Sequence, residues 1–123
     1  MGANAKLVRD AYAAFGKGHI AAVIAMLDEK VVWSSPRTLP HGGEFSGTAQ
    51  VGKFFEGIGA AWDSLALAAE SVDEAGGNVI GVLRADGKRK DGRSQSYGAV
   101  RVFAVTSSKI RSFREYVDVA KPL

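Results

Sequence analysis

The second half of the chain alternates apolar with other residues at a period of two, and this pattern constrains the fold more than any other feature. Four segments carry it, at roughly 64–74, 78–86, 93–106 and 109–119. Turn signals separate these segments at 76–77, in a basic loop near residue 91, and at 107–108. Because the connections are short, the sequence predicts four consecutive antiparallel strands.

The first half of the chain has helical periodicity instead. Asn4 is predicted to cap a first helix that Gly16 and Gly18 end. The apolar positions of this helix are Leu7, Val8, Ala11, Tyr12, Ala14 and Phe15. A second, short helix has its apolar residues at the spacing i, i+3, i+4 and i+7, at Ile20, Val23, Ile24 and Leu27.

A short strand at 31–33, ended by Pro36, is predicted to separate these helices from a third. Residues 34–47 are rich in proline, glycine and serine and are predicted to form a loop. Ser46 or Thr48 would cap the third helix, whose apolar residues are Val51, Phe54, Phe55, Ile58 and Trp62. Helices followed by strands indicate an α+β fold, and the length of 123 residues suits one domain, 1–123.

Composition excludes several classes of site. The chain has no cysteine, so it has no disulfide or thiolate site, and its two histidines lie far apart in sequence, which disfavours a metal site. Neither a membrane-spanning apolar run nor an N-terminal secretory signal is recognisable, so we expect a cytoplasmic protein that does not act at a membrane. The basic cluster at 88–93 could contact nucleic acid. It lacks interleaved aromatic residues, however, and a solvated hairpin tip explains it better.

Both faces of the segment 97–105 are largely apolar. One face carries Tyr97, Ala99, Arg101, Phe103 and Val105, and the other carries Val100, Val102 and Ala104. Helices can cover only one face, so the other needs a cover that a chain of this length does not supply. The sequence therefore predicts a homodimer formed through the outer face of the sheet.

Three segments resemble the SnoaL-like polyketide cyclases, which belong to a superfamily that also holds ketosteroid isomerase, limonene epoxide hydrolase and nuclear transport factor 2. They are Tyr12 to Trp33, the loop ending EFSG, and KIRSFREYVDV at 109–119. The resemblance implies a cone-shaped, mostly antiparallel sheet, described as an α+β barrel or cystatin-like roll, with three helices over its concave face and a deep pocket between them. It further implies acid–base chemistry with no cofactor and no metal.

Glu115 and Arg101 are the predicted catalytic residues. Glu115 alternates with Phe113 and should face the core with it. A carboxylate among apolar side chains is costly unless paired, and such a site suits proton transfer near neutral pH. In the SnoaL-like cyclases and in limonene epoxide hydrolase the matching position holds a catalytic Asp. Arg101 could stabilise an enolate or clamp a substrate carboxylate. The alternative is a purely structural ion pair.

Other residues are predicted to bind substrate: Trp33, Ser35, Tyr97, Phe103, Phe113, Tyr12 and His41. The resemblance aligns Ser35 with the base of ketosteroid isomerase, which a serine cannot replace. It aligns Leu83 and Ala85 with the charged pair of the epoxide hydrolase, so Arg84 and Asp86 could act only if a bulge shifted their strand. Tyr12 lies one residue away from the position that the resemblance gives to the oxyanion tyrosine of ketosteroid isomerase, so a core or pocket-lining aromatic is the better interpretation. His41 lies in the loop expected over the pocket mouth, where an exposed histidine is commoner.

These residues predict a cofactor-independent isomerase or cyclase that acts on a small, mainly apolar carbonyl compound. The first alternative is a non-catalytic protein that binds a small acid or lipid-like molecule through Arg101. Further alternatives are an epoxide hydrolase and a protein-interaction module that uses the outer sheet face.

Overall fold

The computed structural model describes residues 2–123. Within these described residues, three helices and six strands follow one another. The helices are Ala3–Gly16 (α1), Ile20–Ala25 (α2) and Gly47–Ala61 (α3). The strands are Leu27–Ser35 (β1), Gly43–Ser46 (β2), Trp62–Ala75 (β3), Asn78–Arg89 (β4), Ser94–Thr106 (β5) and Lys109–Val117 (β6).

The strands form one unclosed mixed sheet in the order β2-β1-β6-β5-β4-β3. Neighbours pair antiparallel, except that β1 runs parallel to β6. The α+β class, the mostly antiparallel sheet and the three helices are therefore as predicted. The four-strand meander of the second half is confirmed, and the parallel β1–β6 pair connects it to the first half of the chain.

Helix α1 ends as predicted and begins differently. Gly18 has φ +75°, and the amides of Gly18 and His19 donate to carbonyls of the last turn, which is a Schellman ending. The predicted cap was wrong, because Asn4 lies inside the helix and Gly2 takes the cap position. Glu74 of β3 accepts a hydrogen bond from the Ala5 amide at 2.9 Å, so a distant strand satisfies a free amide of the first turn.

Two residues assigned to helices by periodicity begin strands instead. Leu27 opens β1, and Trp62 opens β3 with extended backbone angles of −124° and 137°. Both side chains are buried, so the apolar spacing continued past the helix end while the backbone changed. The predicted loop 34–47 also contains β2, which pairs with the end of β1.

The interior holds two apolar clusters on the helix-covered side of the sheet. The larger packs α1 and α3 against β1, β5 and β6, and includes Trp33, Phe54, Phe103 and Phe113. The smaller surrounds Trp62 and Tyr97. The buried polar and charged residues are Ser35, His41, Arg101 and Glu115. In residues 2–123 no helix has the length and hydropathy to span a bilayer.

Candidate functional site

An ion pair on adjacent strands forms the centre of the site. Arg101 of β5 and Glu115 of β6 are directly opposite each other, on the buried face of the sheet. The Arg101 Nε donates to the Glu115 Oε2 at 2.7 Å. The Glu115 side chain is 0% exposed and that of Arg101 is 10% exposed. The prediction that both side chains point inward is confirmed.

Ser35 completes the contacts of the carboxylate. Its hydroxyl donates to the Glu115 Oε1 at 2.8 Å. The parallel pairing of β1 with β6 brings these two residues together, although 80 positions separate them in the chain. Each oxygen of Glu115 therefore has a hydrogen-bond donor from within the protein. Ser35 holds the carboxylate in place, a role that its alignment with a catalytic base did not suggest.

The charge on Arg101 is strongly favoured. Burial by itself lowers the pKa of Arg101, but attraction to Glu115 and to the nearby tyrosines outweighs burial, so the pKa is raised above its usual value. Its Cζ lies 5.2 Å from the ring centre of Phe113 and 5.7 Å from that of Tyr12, so two aromatic rings flank the cation. None of the hydrogen bonds of residues 2–123 uses the Nη atoms of Arg101, and the Tyr12 hydroxyl is close enough to interact with the guanidinium.

An apolar pocket lies between the sheet and the helices, as predicted. It encloses about 500 Å³, including the part that opens to solvent. Five of the predicted site residues line it: Tyr12, Trp33, Arg101, Phe103 and Phe113. The free space among these side chains holds only a few water molecules, so a larger ligand requires side chains to move.

The pocket opens toward the gap between α1, α3 and the start of β3. A wider surface cavity there shares six lining residues with the pocket: Tyr12, Phe15, Phe55, Ile58, Leu65 and Leu67. Phe15 and Phe55 stand 6.0 Å apart, ring centre to ring centre, where the two spaces join. These two side chains are the natural ones to move when a ligand enters.

Glu115 and Ser35 lie behind the pocket and do not line it. Arg101 is the charged residue on the pocket wall, and its partner carboxylate is fully covered. Tyr97 is also outside the lining. It packs in the smaller cluster, and burial raises the pKa of its hydroxyl well above the usual value. A ligand in the pocket therefore meets Arg101 before Glu115.

The expectation for His41 was wrong. The side chain is 4% exposed and is not part of the pocket wall or its mouth. Its Nδ1 accepts a hydrogen bond from the Trp62 Nε1 at 3.1 Å, beneath α3. Burial lowers the pKa of His41 to about 4. His41 is thus a neutral acceptor that holds Trp62, and no local sequence pattern indicates this pairing across 21 residues.

Strand β4 brings no further charge to the pocket. Leu83 and Ala85 are buried, whereas Arg84 and Asp86 are exposed on the opposite face. The register of β4 with β5 is continuous from Asn78 to Lys88, so no bulge turns those charges inward. The charged arrangement expected of an epoxide hydrolase is not present on this strand. No cluster of potential metal ligands occurs in residues 2–123.

Close to this site, three buried polar atoms make no hydrogen bond to any group in the part of the chain that the structure describes. They are the hydroxyls of Tyr12 and Tyr97 and the Nε1 of Trp33. Trp33 stacks on Phe113 with ring centres 3.9 Å apart, so its orientation is fixed. The Tyr12 hydroxyl packs over Gly81, where even a Cβ would approach it to 2.8 Å. The pocket wall therefore contains polar groups whose hydrogen-bonding capacity is unused.

Comparison with known proteins gives the family. A protein-family model, described as the SnoaL-like domain, matches residues 8–113. A protein of unknown function from Burkholderia pseudomallei, described as NTF2-like (nuclear transport factor 2-like), has a TM-score of 0.89 at 24% identity, over 96% of this chain and 92% of that chain. An NTF2-like protein from Burkholderia thailandensis has a TM-score of 0.87 at 28% identity, over 96% and 92%.

More distant relatives share the fold alone. TerC has a TM-score of 0.84 at 19% identity, over 94% of this chain and 91% of that chain. No curated protein matches. Because the family model covers most of the sequence and the sheet and helices match NTF2-like structures along nearly their whole length, the chain belongs to the SnoaL-like domain family of the NTF2-like superfamily.

Proposed function

We propose that the chain binds a small, mainly apolar molecule in the cone pocket, and that Arg101 holds a carbonyl or carboxylate oxygen of that molecule. The observation that carries this proposal is a charged guanidinium on a mainly apolar wall, whose Nη atoms take part in none of the hydrogen bonds of residues 2–123. Hydrogen bonds to charged donors strengthen where water is excluded. Glu115 and Ser35 fix the guanidinium from behind, so its orientation is set before a ligand arrives.

The fold is compatible with such a ligand. TerC was co-crystallised with polyporic acid. At 19% identity this likeness concerns the fold alone. The charge of the preferred ligand must therefore be inferred from the residues of this chain. Here the group on the wall is a cation, and cations favour anionic or strongly polarised oxygens.

Isomerase or cyclase chemistry is the second candidate, favoured by the contact of Glu115 with Arg101. Glu115 would take a proton from the carbon next to a carbonyl, and the electron pair would move to an enolate oxygen held by Arg101. The proton would return to a different carbon in isomerisation. Both carboxylate oxygens are occupied, so Glu115 must first exchange its bond with Ser35 or Arg101. Ligand binding needs no such exchange, and it is therefore the better-supported function.

Calorimetric titration tests the binding proposal. The probes are straight-chain and aromatic monocarboxylates, each paired with its neutral amide. We expect the acids to bind more tightly than the amides, and Arg101→Met to lower acid affinity at least about tenfold. No binding by any acid, or equal binding of acids and amides, would contradict the proposal.

Turnover of an enolisable ligand separates catalysis from binding. If Glu115 is the base, Glu115→Gln abolishes turnover while the ligand still binds. If the chain only binds, both the parent and Glu115→Gln leave the ligand unchanged, as followed by exchange of its α-protons in deuterated water. Exchange that persists in Glu115→Gln would exclude Glu115 as the base.

A further inference from the structure

Buried polar groups without partners are uncommon in folded proteins, because each has lost its hydrogen bonds to water and gained none in return. Among the described residues, such groups include the hydroxyls of Tyr12 and Tyr97 and the indole N–H of Trp33. Tyr12 and Trp33 line the pocket and Tyr97 does not. The two lining residues are therefore available to a ligand, and Tyr97 offers an internal comparison.

Trp33 and Tyr12 differ in the kind of hydrogen-bond partner that can satisfy them. A tyrosine hydroxyl both donates and accepts, so the guanidinium beside Tyr12 could satisfy it after a small rotation. An indole N–H only donates. Stacking on Phe113 at 3.9 Å and contacts with Phe54 and Phe55 hold the Trp33 ring in place, so it cannot turn to seek a protein acceptor.

The second donor belongs to a residue that lines the same pocket as Arg101. The ring centre of Trp33 lies 3.9 Å from that of Phe113, and the Cζ of Arg101 lies 5.2 Å from the same point. The ring centre of Trp33 and the guanidinium carbon are consequently about 9 Å apart at most, with the Phe113 ring in contact with both. Both groups donate and neither accepts.

We propose that the pocket recognises an acid that carries a second acceptor oxygen, with the carboxylate on Arg101 and a remote carbonyl on the N–H of Trp33. The ligand class is an oxo acid with a flat apolar body. This inference rests on the proposed function and adds to it a second point of recognition. Trp33 is then a residue that sets specificity, in addition to its packing role.

Two matched probes isolate the carbonyl. In 4-acetylbenzoate a ketone stands where 4-isopropylbenzoate has a hydrocarbon branch of similar shape. We expect the parent protein to bind 4-acetylbenzoate more tightly. Trp33→Phe should weaken 4-acetylbenzoate about five- to tenfold and leave 4-isopropylbenzoate within twofold, because only the ketone uses the N–H.

A second variant, Tyr97→Phe, separates recognition of the ligand by Trp33 from a purely structural role of that residue. Trp33→Phe removes an unsatisfied donor and part of an aromatic contact, whereas Tyr97→Phe removes only an unsatisfied hydroxyl. We expect Tyr97→Phe to leave both affinities unchanged and the unfolding midpoint equal or higher. If Trp33→Phe weakens both probes equally, the effect is one of packing and the second recognition point is refuted.

The two proposals fail in different ways. If the parent binds neither benzoate, both the carboxylate site and the oxo-acid class are contradicted. If it binds both equally well and Arg101→Met weakens both, the carboxylate site stands and the role of Trp33 is refuted. A probe-bound structure in which the ketone lies away from Trp33 Nε1 would have the same meaning.

Discussion

At the scale of single residues, the Arg101–Glu115 pair is the most consequential feature. Taking two charges out of water costs several kcal/mol per ion, which close contact and hydrogen bonds only roughly offset. Here the contact is 2.7 Å, and Ser35 supplies a third hydrogen-bonding group. Such a pair adds little net stability and is costly to break, so its main consequence is a fixed donor on the pocket wall.

Removing one partner should be much worse than removing both. Glu115→Leu leaves a buried guanidinium without a counter-charge and should cost about 3–5 kcal/mol of unfolding free energy. Adding Arg101→Met should recover most of this loss, because no charge is then left buried. Urea unfolding of the parent, both single variants and the double variant measures the coupling. Additive losses would contradict this account of the pair.

His41 makes stability depend on pH. Its pKa is about 4 in the folded chain against 6.5 in the unfolded chain, so the unfolded state binds the extra proton between these values. The stabilisation is complete above pH 6.5 and is lost as pH falls toward 4. We expect about 2–3 kcal/mol to be lost between pH 7.5 and pH 4.5.

Unfolding in urea at the two pH values measures this loss. His41→Asn is the control, because an amide oxygen can replace Nδ1 as acceptor for Trp62 but does not titrate in this range. The variant should show a shallower pH dependence by about the same 2–3 kcal/mol. Parallel curves for the two proteins would show that His41 is not the responsible group.

At the scale of elements, α3 is a poor helix former that covers the pocket. Four of its fifteen residues are glycine, so tertiary packing of Val51 and Phe54 holds it in place. A helix that is buried on one face and has low helix propensity can shift slightly, and α3 must do so when a ligand enters.

Gly52→Ala should strengthen this helix. No atom lies within 4 Å of the position of a new Cβ, so we expect a gain of about 1 kcal/mol in unfolding free energy. Gly18→Ala is the matched control. Its surroundings are equally open, but φ is +75°, so the same methyl group should cost about 1 kcal/mol. Thermal unfolding of both variants checks the opposite signs. A loss in Gly52→Ala would show hidden crowding.

At the scale of the whole molecule, the outer face of the sheet carries exposed apolar side chains. Val82, Val100 and Tyr116 form one row across β4, β5 and β6, and Tyr116 is 53% exposed. Arg84 and Asp118, of opposite charge, flank this row near Gly98. A two-fold axis along β5 would bring Arg84 of each copy toward Asp118 of the other. We propose that a second copy of the chain covers this face.

Light scattering after size-exclusion chromatography tests the dimer. The parent should elute as a dimer, and Val100→Lys should shift it toward the monomer, because a charge would be buried at the centre of the contact. Ala22→Lys on α2 adds the same charge to an exposed helix surface and should have no effect. A monomeric parent at micromolar concentration would refute the proposal.

Alternation and helical spacing, which are local patterns, determined much of this protein. They predicted the order of the helices and of every strand except β2, the inward direction of Arg101 and Glu115, and the outward direction of Tyr116. Such patterns follow from backbone geometry over a few residues, so one strand or helix is enough to read them. They misplaced Leu27 and Trp62 because apolar spacing continued across a change of backbone conformation.

Only the tertiary structure decided which groups meet. The parallel pairing of β1 with β6 brings Ser35 to Glu115, and the packing of α3 buries His41 against Trp62. The same packing puts Arg101 on the pocket wall and Glu115 behind it. These contacts join residues that are far apart in the chain. They depend on how all the helices and strands pack together, and a periodic pattern within one element does not encode that packing.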